Sequence, residues 1–373
     1  MDDRRALLAG AERALLAGAE RALDPSALFG GASARLRRLV DFQAAAWSAT
    51  DPGTGLVTAP MHVENLGRGE DCFAYWETAL LEESVVPFRE LARAAVPAAG
   101  LRAATGGLPA RSVQFRKLLA RQGVGDELRA VLRAGGRPWG VVSLFREEGR
   151  APFSPAEVAL VANLSAPLAG RLRALAVPAP GPADGDEPGP GLVLFAPSGT
   201  PLSINDEARH HLARVPAGPS TPSPLGPPLP IWLVGTAAQA RAVASGRDRE
   251  AARVRVRTRD GRWLVCHATC TEGPGGAPGP TAVVVQAAAG ADLAPLLADA
   301  YGLSVRELEI TELIARGLST GDIAAELVIS PHTVRDHVKT IFGKTGASSR
   351  GELVARLFAD RHWPRRDDAV PGR

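Results

Sequence analysis

Disulfides, membrane spans and the usual enzyme signatures are what this chain of 373 residues lacks. Its three cysteines, Cys72, Cys266 and Cys270, are too few and too scattered for a disulfide framework, which excludes a small stapled secreted scaffold and suits a reducing cytoplasm. No apolar run approaches the length of a membrane span, and the apolar stretch behind Asp2, Asp3, Arg4 and Arg5 is broken by Glu12 and Arg13, so neither a membrane partner nor a signal peptide is expected. The chain holds no P-loop, no Gly-x-Ser-x-Gly elbow, no His-Glu-x-x-His and no dinucleotide fingerprint behind a strand. No enzymatic activity and no cofactor are therefore expected. A receiver domain of alternating strands and helices around an acidic pocket is missing as well. Lysine is scarce, so arginine supplies most of the 43 basic residues; 40 acidic ones oppose them, and the net charge of +3 says little about partners.

What is present suits a multidomain α+β protein. The length and the 45% hydrophobic content allow two or three domains with separate cores. Residues 6–13 and 14–21 are the same octapeptide, Ala-Leu-Leu-Ala-Gly-Ala-Glu-Arg, and 1–24 reads as a helical N-terminal extension. Two copies are too few for a solenoid, which needs at least about three repeats to bury a shared core. Residues 25–176 form the first domain. Leu39 to Thr50 contains an early strand, and two apolar runs flank the Gly135-Gly136 turn as a hairpin. Ser154 then caps a helix with Pro155 at its first position, running to about Leu175. Gly140 to Arg146, an exposed loop, Phe153-Ser154-Pro155 and a long helix resemble the closing half of a GAF domain. That resemblance implies an antiparallel sheet between helices, serving either as a small-molecule pocket or as a filled scaffold.

Residues 177–191 are a Pro/Gly-rich linker. In 192–290, Leu192 to Phe195, a Pro-Ser-Gly-Thr turn and Ser203-Ile204-Asn205 lead into a helix to about Ala213. Arg253 to Thr258, Arg262 to Thr269 and Thr281 to Gln286 read as closing strands. The segment resembles a PAS domain whose helical middle is partly replaced by the proline-rich Pro216 to Pro230. Cys266, His267 and Cys270 suggest a metal site, but strand geometry opposes it. The two cysteines share a face roughly 13 Å apart, at about 3.3 Å per residue, and His267 points to the other side.

Residues 299–362 carry the clearest signals, with 363–373 expected as a disordered tail. Ser304 with Glu307, Ser319 with Asp322, and Ser349 with Glu352 fit capping boxes, and Ser330-Pro331 fits an N-cap with proline at the first helical position. Four helices should begin at about Val305, Thr320, Pro331 and Arg350. Leu308, Thr311, Glu312, Ala315, Ile310, Leu313 and Ile314 place a stripe on the first, which Gly317 ends. Ile323, Ala324 and Leu327 do so on the second. A turn from Val328 to Ser330 leads to the third, where Val334, Val338, Ile341 and Phe342 form one face and Arg335, Asp336 and Lys339 another. An isolated Lys/Arg pair is ordinarily a solvated pair of charges. Helix order, tight turn and capping together make this one a helix-turn-helix whose polar face fits a major groove.

These residues resemble the DNA-binding domain of the LuxR family, shared with FixJ and NarL type regulators. The resemblance rests on Leu303-Ser304-Val305-Arg306-Glu307, Gly317 to Ala324, Leu327 to His337, Lys344, and Ser349-Arg350. It implies base contacts from Arg335, Asp336 and Lys339 and backbone contacts around Thr320, His332, Thr333 and Lys344, on a recognition helix spanning 331–344. It further implies double-stranded DNA and a second copy of the chain as partners. RNA polymerase and an unidentified small molecule are the remaining partners such a bacterial, cytoplasmic regulator would have. Gly321 and Thr320 depart from the family pattern, and Gly343 should cost about 1 kcal/mol of helix stability relative to alanine. Between 299 and 366 ten Lys/Arg face nine Asp/Glu, with the cations concentrated from the third helix onward. Non-specific affinity should therefore be modest and salt-dependent. A regulator working through protein contacts alone, and an enzyme in the N-terminal half, are the rival readings.

Overall fold

The computed structural model describes residues 19–66, 69–82, 84–177 and 188–357. Most of the octapeptide repeat, most of the Pro/Gly-rich linker and the expected tail lie outside them. The first segment is a helix, α1 (Pro25–Leu36), capped by Asp24. Strands β1 (Ala44–Thr50), β2 (Val57–Glu64), β3 (Ala98–Gly100), β4 (Val124–Ala134) and β5 (Arg137–Glu147) form a sheet in the order β2-β1-β5-β4-β3, antiparallel throughout. Gly135 and Gly136 both take positive φ, +60° and +74°, which lets β4 and β5 join through two residues with the twist a hairpin favours. The early strand starts at Ala44 rather than Leu39, because Leu39 and Val40 still bond back to Leu36 at the end of α1.

Helix α2 (Gly69–Leu81) and short helical turns between residues 88 and 122 pack on this sheet, and α3 (Pro155–Ala176) packs on strands β3, β4 and β5. Ser154 and Glu157 complete a capping box at its start, as the Ser-Pro signal predicts.

The next segment repeats the strand order without repeating the sequence. Strands β6 (Gly191–Phe195), β7 (Pro201–Ile204), β8 (Arg253–Arg257), β9 (Trp263–Glu272) and β10 (Pro278–Ala287) run β8-β9-β10-β6-β7, again antiparallel. Counted from the first strand of each sheet, this is the same 2-1-5-4-3 order. Helix α4 (Asp206–Arg214) follows β7, with the Asn205 side chain as its cap. The helical middle of this segment is less depleted than the prolines imply. Beyond a two-residue ladder, 220–221 with 229–230, lies α5 (Ile231–Ala244). It escapes a periodicity reading because it is buried on nearly every side, which removes the polar face that marks a surface helix.

Both sheets belong to one compact unit, which ends at Ala287. They are joined by a buried ion pair. Arg255 on β8 donates Nε to Asp51 Oδ2 at 2.8 Å and Nη2 to Oδ1 at 2.9 Å, and its backbone N–H reaches Oδ2 at 3.0 Å. Both side chains are within 1% of full burial. Thr54 and Thr58 add hydroxyl bonds to the Arg253 and Arg255 carbonyls.

The second unit's described residues from Ala288 onward contain five helices: α6 (Gly290–Tyr301), α7 (Val305–Ala315), α8 (Thr320–Glu326), α9 (Pro331–Thr345) and α10 (Arg350–Leu357). The last four begin where the capping signals place them. Helix α6 begins before residue 299, and it joins the domain because Leu297 is buried with Ile310, Ile314, Ile323, Val334, Ile341 and Leu353, and Leu293 packs on the same core. On α7 the packed residues are Ile310, Thr311, Leu313 and Ile314; Leu308 is half-buried and Glu312 exposed. The last capping box is altered. Ser349 Oγ accepts from the Glu352 amide, but the Glu352 carboxylate reaches back to the amide and hydroxyl of Ser348.

Val328 ends α8 in the left-handed region, at φ +53°, and it is 89% exposed. The Ile329 amide bonds to the Ala324 carbonyl, a closure that ordinarily places glycine at the left-handed position. A β-branched side chain there is strained, and exposure gives it no packing in return. Val328→Gly should stabilise the domain by about 1 kcal/mol. A higher denaturation midpoint for the variant checks it, and an unchanged or lower midpoint counts against it.

Candidate nucleic-acid interface

The geometry of α9 separates a docked face from a free one. Ser330 Oγ accepts from the Thr333 amide at 3.0 Å and also bonds to its hydroxyl, so the helix starts at Pro331. Val334 and Ile341 are fully buried against α7 and α8, and Val338 and Phe342 pack beside them. Arg335, Asp336, Lys339 and Thr340 are exposed, as is His332 at the N-terminal end, while Thr333 is half-buried. One turn apart, His332 Nδ1 and Asp336 Oδ2 lie 3.0 Å from each other. Such an exposed pair adds little stability, but it fixes the direction of the carboxylate. Gly343 faces open space.

The cations of this unit divide sharply. Arg306 bonds to Glu309 and to the Leu327 carbonyl that ends α8. Arg316 pairs with Glu326, Arg350 holds the Leu318 carbonyl and the Thr320 hydroxyl, and Arg356 holds Glu352 and the Thr345 carbonyl. Lys344 pairs with Glu307 at 2.6 Å and with the Gly302 carbonyl at 3.0 Å. Among the described residues 288–357, Arg335 and Lys339 are the two cations with no such partner. Of the residues singled out in the sequence, Arg335, Asp336, Lys339 and His332 therefore share the free surface of α9. Thr320 and Lys344 lie in internal contacts, one at the start of α8 and one at the end of α9. The pairing of Lys344 left no local signal, since its partner is 37 residues away.

Glu307 is almost fully buried, and its carboxylate also accepts from the Ser304 amide at 2.6 Å. Burial pushes its pKa up, but the Lys344 and Ser304 bonds outweigh burial and hold it below the ordinary 4.5. A depressed carboxylate pKa gives stability that is complete above 4.5 and fades as pH falls through the lower folded value. The protection of α7 and α9 amides against hydrogen exchange, taken relative to the unfolded chain at the same pH, should therefore fall on acidification below about pH 4.5. Glu307→Gln should flatten that dependence, and a variant as acid-sensitive as the wild type would contradict the assignment.

The metal-like residues of the first unit are placed as strand alternation requires. Cys266 is buried and His267 exposed, and burial pushes the Cys266 thiol up to about 12. Among the described residues no group of three or more His, Cys, Asp or Glu side chains is arranged to hold a metal ion. No helix among them is long and apolar enough to cross a membrane.

A family model described as GerE, bacterial regulatory proteins of the luxR family, matches residues 302–357. This segment is a LuxR-type helix-turn-helix. Its segment α7–α10 coincides with the match, and α6 precedes it. The probable transcriptional regulatory protein NarL of Mycobacterium tuberculosis is 44% identical over 59 residues, 16% of this chain and 27% of that one. The probable HTH-type transcriptional regulator GfsR of Streptomyces halstedii is 39% identical over 97 residues, 24% of this chain and 38% of that one. The transcriptional regulatory protein UhpA of Escherichia coli is 41% identical over 56 residues, 15% and 29%. The chain thus spans well under half the length of these relatives. The crystal structure of a phage VqmA-DPO complex aligns with 45% of this chain and 81% of that one, at 20% identity and a TM-score of 0.19. A score that low carries no weight for the fold.

Proposed function

We propose that this protein is a sequence-specific, DNA-binding transcription regulator that acts as a homodimer, with α9 of each copy in the major groove. The observation that carries the reading is the pair Arg335 and Lys339. They are exposed, one turn apart and without partners among the described residues, on the face of α9 opposite its docked side, while the domain's other described cations are bonded internally. Arginine and lysine there can bond guanine edges, and Asp336 can accept from a cytosine amine. His332, Thr333 and Thr320 lie at helix starts, where hydroxyl, imidazole and amide groups suit phosphates. Two copies would set their recognition helices in successive major grooves about 34 Å apart.

The two sheets of the N-terminal unit are read as GAF-like and PAS-like regulatory domains. Their shared strand order supports that reading, as does the Ser-Pro capped helix closing the first. A change there would alter how the DNA-binding domains are presented.

Fluorescence anisotropy of the full chain on duplexes from its own promoter region tests the proposal. Saturable binding should weaken as salt rises, with a small slope, since few cations are free. Lys344→Gln should leave the slope at the wild-type value, because its ammonium is held by Glu307; a slope smaller by about 1 would make Lys344 a phosphate contact. Absence of salt-dependent binding to any such duplex would favour a regulator that works through protein contacts.

A further inference from the structure

A cleft of about 660 Å³ opens within the first unit, between the two sheets. Its volume is in the range of small-molecule sites. One wall is aromatic: the rings of Trp76 on α2 and Phe88 stack with centroids 5.7 Å apart and planes 29° from parallel. Helix α5 also lines the cleft, with Gly235 and Gln239. This side chain is 1% exposed, and its Nε2 donates to the Glu250 carbonyl at 3.0 Å, which fixes which end of the amide faces where. Oε1 is left as a buried acceptor with no partner among the described residues. Buried amide oxygens in native proteins are nearly always bonded, so this one calls for a donor from outside the chain.

The rim is cationic. Asp248 and Glu250 are already neutralised by Arg89 at 2.9 Å and Arg93 at 3.4 Å. Arg247 and Arg249 beside them are exposed, and their guanidinium groups make no hydrogen bond or ion pair among the described residues.

We infer that this cleft binds a small aromatic acid bearing an O–H or N–H donor. The ring lies against the Trp76 and Phe88 wall, the donor bonds to Gln239 Oε1, and the carboxylate faces Arg247 and Arg249. Flat apolar walls select the ring, an orphaned acceptor selects the donor, and an uncompensated cationic rim selects the anion. The inference is independent of the DNA-binding reading, since every residue it uses is in the first unit.

Isothermal titration of the full chain with 4-hydroxybenzoate tests it, beside 4-methylbenzoate, which lacks the donor, and 4-hydroxybenzyl alcohol, which lacks the charge. The hydroxy acid should bind saturably, one per chain, and each control about tenfold more weakly. Arg247→Gln with Arg249→Gln, on the exposed rim, should weaken the acid about tenfold and leave the alcohol unchanged. Gln239→Leu should erase the preference for hydroxyl over methyl. Gly235→Leu should abolish binding by filling the cleft, since a side chain starting there meets only Val57, at 3.9 Å. Melting curves check that the variants fold; if Gln239→Leu does not, the rim pair and Gly235→Leu decide. No saturable binding of 4-hydroxybenzoate, equal binding of all three compounds, or full binding by a folded Gly235→Leu protein would overturn the inference.

Discussion

Arg335→Ala is expected to weaken binding of the full chain to its cognate duplex by about 1–3 kcal/mol, roughly 5- to 150-fold, and to relax base choice at one position. The loss should be specific. The Arg335 side chain makes no hydrogen bond or ion pair among the described residues, so circular dichroism and melting temperature should stay at wild-type values. Its neighbours do not replace it: Lys339 lies a turn further along, and Asp336, directed by His332, has the opposite charge. Arg316→Ala supplies the contrast, because that guanidinium is also exposed but engaged with Glu326, and affinity should barely change. Anisotropy titrations on a set of duplexes with single base changes give the readout. A variant that binds every duplex as tightly as the wild type would remove Arg335 from the interface.

Asp51→Ala should be the most damaging single change in the first unit, destabilising it by about 3–5 kcal/mol. The reason is asymmetry. The Arg255 side chain is 1% exposed and already has one buried nitrogen, Nη1, without a partner. Removing the carboxylate leaves the remaining guanidinium groups and the Arg255 amide unbonded in the same dry place. Asp51→Ala combined with Arg255→Met removes both charges and should recover most of the loss, since apolar replacement of a buried pair is often neutral or better. Hydrogen exchange of β1 and β8 in the full chain follows the effect where it occurs. If the single variant exchanges at the wild-type rate, the pair is not what joins the two sheets. If the double variant is no better than the single one, the loss is not that of an uncompensated charge.

The starts of α3, α7, α8 and α9 were readable in the sequence because caps act within three residues: Ser154, Ser304, Ser319 and Ser330 each take an amide proton from the first turn they open. The Gly135-Gly136 hairpin and the docked face of α9 were readable for the same reason, since turn chemistry and helical spacing are local. Helix α5 was not, because burial on nearly every side erases the polar stripe. Nor was α6, which starts at Gly290 behind Ala289, with no serine or threonine cap.

By itself, then, the sequence determined the helix-turn-helix and which residues could stand on its reading face. The tertiary structure alone decided which charges remain there. Lys344 is drawn to Glu307 across 37 residues and Arg255 to Asp51 across 204, while Arg335 and Lys339 meet no carboxylate among the described residues. Coulomb attraction depends on distance through space, and the linear order of a chain leaves that distance undefined until it folds.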